Sequence, residues 1–443
     1  MRVLLVQPPL DPTTSKITAL GVGEPLGLEY VAAVLLDDDV RILDLRVGGS
    51  LTEAVSEMAP RVVGTTSVSV TLKQAIGLLR EAKSLDPDIV TVMGGVHATL
   101  LPRDCQVEGV DVVVRGEGEQ TMAELVAALE AGRSLEGVAG LAYRDGHDWR
   151  ETGARELGPL DSYPFPARHL TEQYRSAYSR VGLGRTVFAV SSRGCSRQCT
   201  FCSVWRMHGG KYRVRSPENI ISELASRDEP CVDLVDDDSF GILGRMERLR
   251  KLVDQELPAR TYKALVRAES VVRSPALFQR WAASGLRFLI IGLESFRDEE
   301  LRDINKQASA EQNRQAVAIL RQLEIKVIGY LIVRPEYTRD DFQRLGDTVE
   351  ELGIAQPVFT TLTPLPGTIL FDQVRDRLTT HDWADFDGFR AVLPTALPTR
   401  EFYGELAGLY RRAYGHHAAE GDPGSVPWHE QLARWIECID SEV

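Results

Sequence analysis

Gly194-Cys195-Ser196-Arg197-Gln198-Cys199-Thr200-Phe201-Cys202 decides how the rest of this 443-residue chain is read. Three of the six cysteines fall there in a C-x3-C-x2-C array, just after the apolar run Thr186-Val187-Phe188-Ala189-Val190, which reads as a strand entering a turn. Three thiolates on one loop can hold an iron–sulfur cluster and leave one iron without a protein ligand. An open position implies chemistry more than structure. Zinc is the alternative, because His208, six residues after Cys202, could complete a Cys3His tetrahedron. Structural zinc sites usually join two short knuckles, whereas this array follows a barrel-type strand and precedes a long α/β repeat.

Downstream of the cysteines, apolar runs at 186–191, 232–235, 262–266, 288–292, 327–333 and 358–362 alternate with helical patterns at 217–227, 246–255, 274–284, 309–323 and 338–352. Ser216 is placed to cap the first of these helices. Such an alternation predicts a partial (β/α)6 barrel with its chemistry at the carboxyl ends of the strands. Residues 376–443 add aromatic-rich helical segments, expected to close the barrel core, and His416-His417 reads as a helix-end pair.

Upstream, short β-branched runs at 3–6, 40–43, 62–64, 89–93 and 112–114 alternate with helical patterns near 27–36, 51–58, 72–84 and 119–131. These predict a five-stranded, flavodoxin-like (Rossmann-type) α/β sheet, in which ligands bind beyond the carboxyl ends of the strands. The loops there are Pro8-Pro9, Ser67-Val68-Ser69, Gly94-Gly95-Val96-His97 and Arg115-Gly116-Glu117-Gly118-Glu119. Glycines let a ligand approach the backbone, and hydroxyls supply hydrogen bonds. No G-x-G-x-x-G follows the first strand, which disfavours a nicotinamide or flavin dinucleotide. Between the two regions, Asp145-Gly146 signals a hairpin, and Pro159, Pro164 and Pro166 punctuate an extended connection. The expected domains are therefore 1–135, a linker at 136–180, 181–375 and 376–443.

Composition narrows the function classes. Sixty-four acidic against fifty-one basic residues give a net charge of −13, which argues against a nucleic-acid partner held through phosphates and favours a small-molecule substrate. No apolar run approaches the roughly 20 residues of a bilayer span, and the start Met1-Arg2-Val3-Leu4-Leu5-Val6 reads as a strand, so a cytoplasmic protein is expected. Cys105, Cys231 and Cys438 are scattered without disulfide-framework spacing.

The set Gln7-Pro8-Pro9, Pro25-Leu26-Gly27-Leu28, Gly94-Gly95-Val96-His97 and Gly116-Glu117-Gly118-Glu119-Gln120-Thr121 resembles the cobalamin-binding domain found in front of many radical S-adenosylmethionine (SAM) enzymes. Cys195, Cys199 and Cys202, with Phe201 before the last, match the C-x3-C-x-φ-C signature of those enzymes. The resemblance implies a [4Fe–4S] cluster on the three cysteines, SAM on the free iron, and cobalamin along the ends of the N-terminal strands. Its tail would lie against Ser67, Ser69, Gly94, Gly95, Gly116, Glu117 and Gly118, with Pro8 and Pro9 facing the lower side of cobalt. The expected D-x-H-x-x-G signature is missing: residues 10–24 contain no histidine and no cysteine, so cobalt is expected without a histidine ligand. His97 is a candidate tail or wall contact, or else a loop histidine satisfied by backbone.

For SAM, the resemblance points to Asp236 and Asp237 for the amino group and to Glu294 and Ser295 for further polar contacts. Arg267 is the candidate for the carboxylate, which a guanidinium can bind bidentately. The aspartate run could instead be a solvated turn capping the next helix, and Arg267 an ordinary ion-pair partner. Glu294 ends an apolar strand, where a carboxylate is costly to desolvate without a partner. Leu331-Ile332-Val333-Arg334-Pro335-Glu336 departs from the family's glycine-containing fifth strand end, and this leaves Arg334 as a candidate substrate contact. Thr363-Pro364-Leu365-Pro366-Gly367-Thr368, Asp382-Trp383 and Ala391-Val392-Leu393-Pro394-Thr395 look most like the branch containing hopanoid-type C-methyltransferases.

That branch implies two uses of SAM, one giving its methyl to cob(I)alamin and the other cleaved to a 5′-deoxyadenosyl radical that opens a substrate C–H bond. A one-electron reductant such as flavodoxin or ferredoxin is implied as partner. Relatives that cyclise or rearrange, or that methylate sp2 carbon, form the alternative class.

Overall fold

The computed structural model describes residues 1–10, 22–180, 183–414 and 432–436. Most of the histidine-free loop after the first strand, His416-His417 and Cys438 lie outside the described residues. The chain divides into two compact units, 1–180 with 206–209, and 181–205 with 210–443.

In the first unit, β1 (Arg2–Gln7), α1 (Leu26–Ala33), β2 (Asp39–Asp44), α2 (Leu51–Met58), β3 (Val62–Thr66), α3 (Leu72–Leu85), β4 (Val90–Gly94), α4 (Val96–Leu100), β5 (Val112–Val114) and α5 (Gly118–Glu130) follow one another. The hairpin β6 (Leu141–Asp145) and β7 (Asp148–Glu151) and the short β8 (Ser179–Arg180) come after them. The five expected strands are parallel in the order β2-β1-β3-β4-β5. Val3, Leu4, Leu5 and Val6 are all buried, as expected for a strand covered on both faces.

The five-stranded expectation is corrected to seven. The hairpin turns at Gly146 (φ 64°), and β6 pairs antiparallel with β5 in the register Val112↔Tyr143. Leu141, Ala142 and Tyr143 are buried there, so a segment read as linker finishes the sheet. Gly94-Gly95-Val96-His97 is not wholly loop either, since α4 starts at Val96.

α1 carries one charged side chain inward. Glu29 is fully buried, and Thr171 Oγ1 donates to its Oε1 at 2.5 Å. Its Oε2 has no partner among the described residues. Nearby, Glu24 pairs with Arg168 at 3.2 Å and Arg175 at 2.6 Å. Burial, reinforced by the Glu24 carboxylate, pushes the Glu29 pKa up to about 7. The folded state therefore keeps a proton that the unfolded chain releases near its ordinary value. The associated stability is full below that value and is lost as pH rises toward 7. Glu29→Gln, which cannot ionise, is expected to flatten the fall in melting temperature between pH 5 and 7, a term on the order of 1–3 kcal/mol in the parent. Thermal denaturation at several pH values checks this, and an unchanged slope would count against it.

In the second unit, six parallel strands lie in sequential order: β9 (Gly184–Ala189), β12 (Cys231–Leu234), β13 (Thr261–Val266), β14 (Leu286–Glu294), β15 (Lys326–Val333) and β16 (Gln356–Thr361). β10 (Ser192–Arg193) and β11 (Arg213–Val214) form a small ribbon, with α6 (Val204–Met207) between them. The crossovers are α7 (Pro217–Ala225), α8 (Leu243–Glu256), α9 (Ala268–Arg273) with α10 (Pro275–Ala283), α11 (Asp298–Asp303) with α12 (Ala310–Gln322), and α13 (Arg339–Leu352). Ser216 caps α7 by accepting from Asn219 N at 3.3 Å. This is the expected partial barrel. Its helix-facing core includes Val187, Val232, Tyr262, Ala264, Leu289, Leu331 and Phe359.

The C-terminal segment supplies α14 (Ile369–Val374) and α15 (Thr399–Tyr414). Phe402, Tyr403, Tyr410 and Tyr414 of α15 are buried in the same core. Tyr410 OH donates to Phe359 O at 2.7 Å and accepts from Phe359 N at 2.9 Å. The aromatic row thus packs as core, which was its expected role.

Candidate active site

The cysteine loop is built from the strand ends that flank it. Asp236, just past β12, is buried, and its carboxylate accepts from Ser191 N (2.6 Å), Ser192 N (2.8 Å) and Ser191 Oγ (2.5 Å). Burial raises its pKa, and these donors oppose the rise. Asp237 Oδ2 accepts from Gly194 N at 2.7 Å, where Gly194 takes φ 87° to start the loop. The aspartate run is therefore no solvated helix cap, because α8 begins later, after Ile242. Its first two carboxylates hold the backbone that carries Cys195.

A second brace comes from the turn after α11. Thr200 N donates to Ile304 O (3.0 Å), Asn305 Nδ2 to Gln198 O (2.8 Å), and Arg197 Nη1 to Gln307 Oε1 (2.6 Å). Asn305 and Gln307 both adopt left-handed backbone (φ 51° and 54°), a conformation side chains other than glycine rarely take. Between them Lys306 reaches back to Glu294, Nζ to Oε1 at 2.7 Å. Glu294 itself has φ 60° at a register shift in β14, and a Cβ on Gly292 would collide with its carboxylate. The partner that a buried carboxylate demands is thus Lys306, which carried no signal in its polar stretch of sequence.

These groups surround a cavity of about 520 Å³. Cys195, Cys199 and Cys202 line it together with Phe201, Asp236, Asp237, Arg267, Glu294 and Lys306. Leu265, Ile290, Tyr330, Ile332, Leu362 and Phe386 add an uncharged part of the wall, which Asp387 and Arg197 also line. Arg267 forks onto Glu269 at 3.3 and 3.4 Å and donates to Lys306 O at 3.3 Å, so it is already ion-paired. Two expected contacts are not brought to the cavity. Ser295 is buried against Glu300, donating to Oε2 at 2.5 Å, and Arg334 pairs with Asp303 at 2.8 Å.

The donor set fits an iron–sulfur cluster. Three free thiols face one cavity, and among the described residues no three or more His, Cys, Asp or Glu side chains converge as a single metal ion requires. His208, the fourth ligand of the zinc alternative, has Nδ1 3.7 Å from Glu117 Oε1 in the first unit. Burial pushes the Cys202 thiol up to about 11 and raises that of Cys195, so ligation has to displace protons.

In the first unit the expected ligand loops share the carboxyl edge of one parallel sheet, but they differ in what they offer. Pro8 is buried and Pro9 half-buried after β1. Ser67 is buried, its Oγ 3.5 Å from Gly94 O, whereas Ser69 is half-buried. Gly95 (φ 100°) packs so closely that a Cβ would stand 2.5 Å from Thr66 Oγ1 and 2.6 and 2.7 Å from Ser67 O and N. A Cβ on Gly116 (φ 83°) would meet nothing within 4 Å, and one on Gly94 nothing nearer than 3.8 Å. Those two leave the open cradle that a bulky ligand needs. Glu117 accepts from Tyr163 OH at 3.0 Å, and Gly118 serves helix packing, since its Cβ would lie 3.2 Å from Val31. His97 lies in α4, not in a loop, with its ring nitrogens 3.1 Å from Ser69 Oγ and 3.2 Å from Asp104 Oδ2.

A B12 binding domain model matches residues 13–126, and a Radical SAM superfamily model matches residues 189–349. The hopanoid C-3 methylase of Methylococcus capsulatus is 31% identical over 402 residues, covering 89% of this chain and 77% of that protein. The anaerobic magnesium-protoporphyrin IX monomethyl ester cyclase of Cereibacter sphaeroides is 27% identical over 390 residues, covering 82% and 61%. Among solved structures, the radical SAM methyltransferase TsrM from Kitasatospora setae, with cobalamin and a [4Fe-4S] cluster bound, aligns over 99% of each chain with a TM-score of 0.71 at 17% identity, a likeness of fold. Two domain models in this order, and 31% identity across most of the methylase, make the chain a member of the cobalamin-dependent radical SAM methyltransferase family.

Proposed function

We propose that this enzyme moves a methyl group from SAM, by way of cobalamin, onto a carbon of a small molecule with an apolar reacting end. The carrying observation is that one cavity is lined both by the three thiols with Arg267, Lys306 and Glu294 and by the apolar or uncharged side chains of Leu265, Ile290, Tyr330, Ile332, Leu362 and Phe386. Cys195, Cys199 and Cys202 would hold the cluster. Arg267, Lys306 and Glu294 supply charge suited to the ends of a SAM amino-acid moiety, while Asp236 and Asp237 keep the loop in place. Ser69, Gly94, Gly95 and Gly116 would carry cobalamin. When bound, the cluster and SAM supply the radical that opens a C–H bond, and cobalamin supplies the methyl. The protein's own work is orientation and the exclusion of water by an apolar wall.

An external one-electron donor such as a flavodoxin or ferredoxin completes the system. A reducing cytoplasm suits its thiols. No described helix is long and apolar enough to cross a membrane.

The test is transfer of an isotopically labelled SAM methyl into a panel of extracts by the anaerobically reconstituted enzyme, read by mass. A product heavier by one labelled methyl is expected. A product formed with loss of hydrogen and no label would support ring formation, the second reading, which the 27% likeness to the cyclase favours.

A further inference from the structure

We propose that the outer side of the cysteine loop, with the polar groove where α11 leads into α12, is the docking face for an acidic protein that carries one electron to the cluster. The proposal rests on the cluster reading above. Of residues 195–202 only Ser196 and Gln198 are exposed, and neither lines the catalytic cavity. Each adjoins a cluster cysteine, Cys195 and Cys199. The loop therefore reaches solvent one residue away from two of its three thiols. A second cavity of about 440 Å³ lies at residues 301–312, with Arg302, Asn305, Gln307 and Ala308 in its wall. Two of these hold the loop directly: Asn305 Nδ2 donates to Gln198 O at 2.8 Å, and Gln307 Oε1 accepts from Arg197 Nη1 at 2.6 Å. Groove and loop thus form one continuous surface.

The groove is lined by no thiol, imidazole or carboxylate, so it supplies neither a base nor a metal ligand. What it has is nearness to the cluster. Electron transfer asks for nearness alone: one electron leaves the carrier, which is oxidised by one unit, and enters the four-iron cluster, which is reduced by one, with no atom or proton exchanged. Transient redox contacts bury less than about 1,200 Å² in total, so no large apolar patch is called for. Charge sets the sign of the partner. The nearby carboxylates are already answered, Asp303 by Arg334 (2.8 Å), Glu299 by Arg297 (2.9 Å) and Glu269 by Arg197 (2.6 Å), while Asp298 accepts from Ala310 N (2.7 Å). Arg302 is exposed, and its guanidinium has no ion pair among the described residues. Residues 192–217 also carry six Lys or Arg and no Asp or Glu, in a chain of net charge −13. An acidic carrier repelled by the chain as a whole is admitted at such a place.

Anaerobic stopped-flow measures how fast two reductants reduce the reconstituted enzyme: reduced flavodoxin, an acidic carrier, and photoreduced deazaflavin, a small uncharged one. The chains compared are the parent, Arg302→Glu, Ala308→Trp and, as a charge-matched control, Lys251→Glu at an exposed site on α8. Melting temperatures establish that each is folded. Arg302→Glu is expected to slow flavodoxin by about 5–10-fold at low salt, an effect that shrinks as ionic strength rises, and to leave the deazaflavin rate alone. Ala308→Trp fills the groove and should slow flavodoxin at any salt. The face is built from hydrogen bonds between protein groups, so labelled flavodoxin should lose affinity for both variants before reconstitution as well, read by fluorescence anisotropy. A ratio of the two rates that stays at the parent value in either variant, equal slowing with both reductants included, would overturn the docking face. So would an equal fall in Lys251→Glu. A parent whose iron takes up no electron from either reductant would overturn the cluster reading itself.

Discussion

Cys199→Ala is expected to abolish methyl transfer while leaving the fold intact. Cys199 is the most buried of the three thiols at 6% exposed, and its carbonyl accepts from Cys202 N (3.3 Å) and Trp205 Nε1 (3.1 Å). Those are backbone bonds, which alanine keeps. The loop is also braced by Asp236, Asp237 and the 304–307 turn, none of which uses a cysteine sulfur. What is lost is one of three ligands to a four-iron cluster, so bound iron should fall from about four per chain to below one after anaerobic reconstitution. Turnover should drop by at least about 10³-fold, equivalent to more than ~4 kcal/mol of barrier. Iron and sulfide analysis, the melting curve and labelled-methyl transfer read the three parts separately. Full turnover by the variant would dismiss the cluster.

Gly95→Ala should act on the other unit, and on stability before ligand. The added methyl would need left-handed backbone at φ 100° and would press on Thr66 Oγ1 and the Ser67 backbone. Backbone cannot swing aside as the tip of a side chain can, so a cost of about 2–4 kcal/mol is expected, with the β3 and β4 loops forced apart. Cobalamin affinity should fall more than ~10-fold as a consequence, since losing even two hydrogen bonds to displaced loops gives that much. Gly94→Ala is the informative partner. Its Cβ would be 3.8 Å from Thr65 O, an ordinary contact, so the melting temperature should hold while the methyl intrudes on any ligand lying over that strand end. Equal losses of stability in both variants would contradict this division.

The sequence made the layout of both sheets readable because parallel strands covered on both faces must be nearly all apolar, and Val62–Thr66 or Val327 through Val333 stand out for that reason. The hairpin was visible too, through Asp145-Gly146. Its attachment to β5 was not, because pairing partners thirty residues apart leave no local mark. Side-chain direction at strand ends was equally hidden. Ser67 and Ser69 look alike in sequence, yet one is buried and the other half-buried. Glu294 could be picked out because burying a carboxylate is costly, whereas Lys306 sits among Asp303, Asn305 and Gln307 in a stretch that reads as solvent-facing. A left-handed turn of non-glycine residues is what carries it inward, and no residue type announces such a turn.

Six strands do not close a barrel, and the last of them would ordinarily offer a row of unpaired amides and carbonyls to any passing chain. Pro357, Phe359 and Thr361 are the alternate residues of β16 whose backbone faces away from β15. Each is answered: Tyr414 OH donates to Pro357 O at 2.9 Å, Tyr410 OH serves both groups of Phe359, and Thr361 N donates to Gly388 O at 2.7 Å. Two phenols on a helix and one loop carbonyl stand in for a further strand at this edge. The half-barrel is thereby protected from edge-to-edge self-association without being shut, and a chain cut before Thr399 should betray this by aggregating while its cysteine loop is still intact.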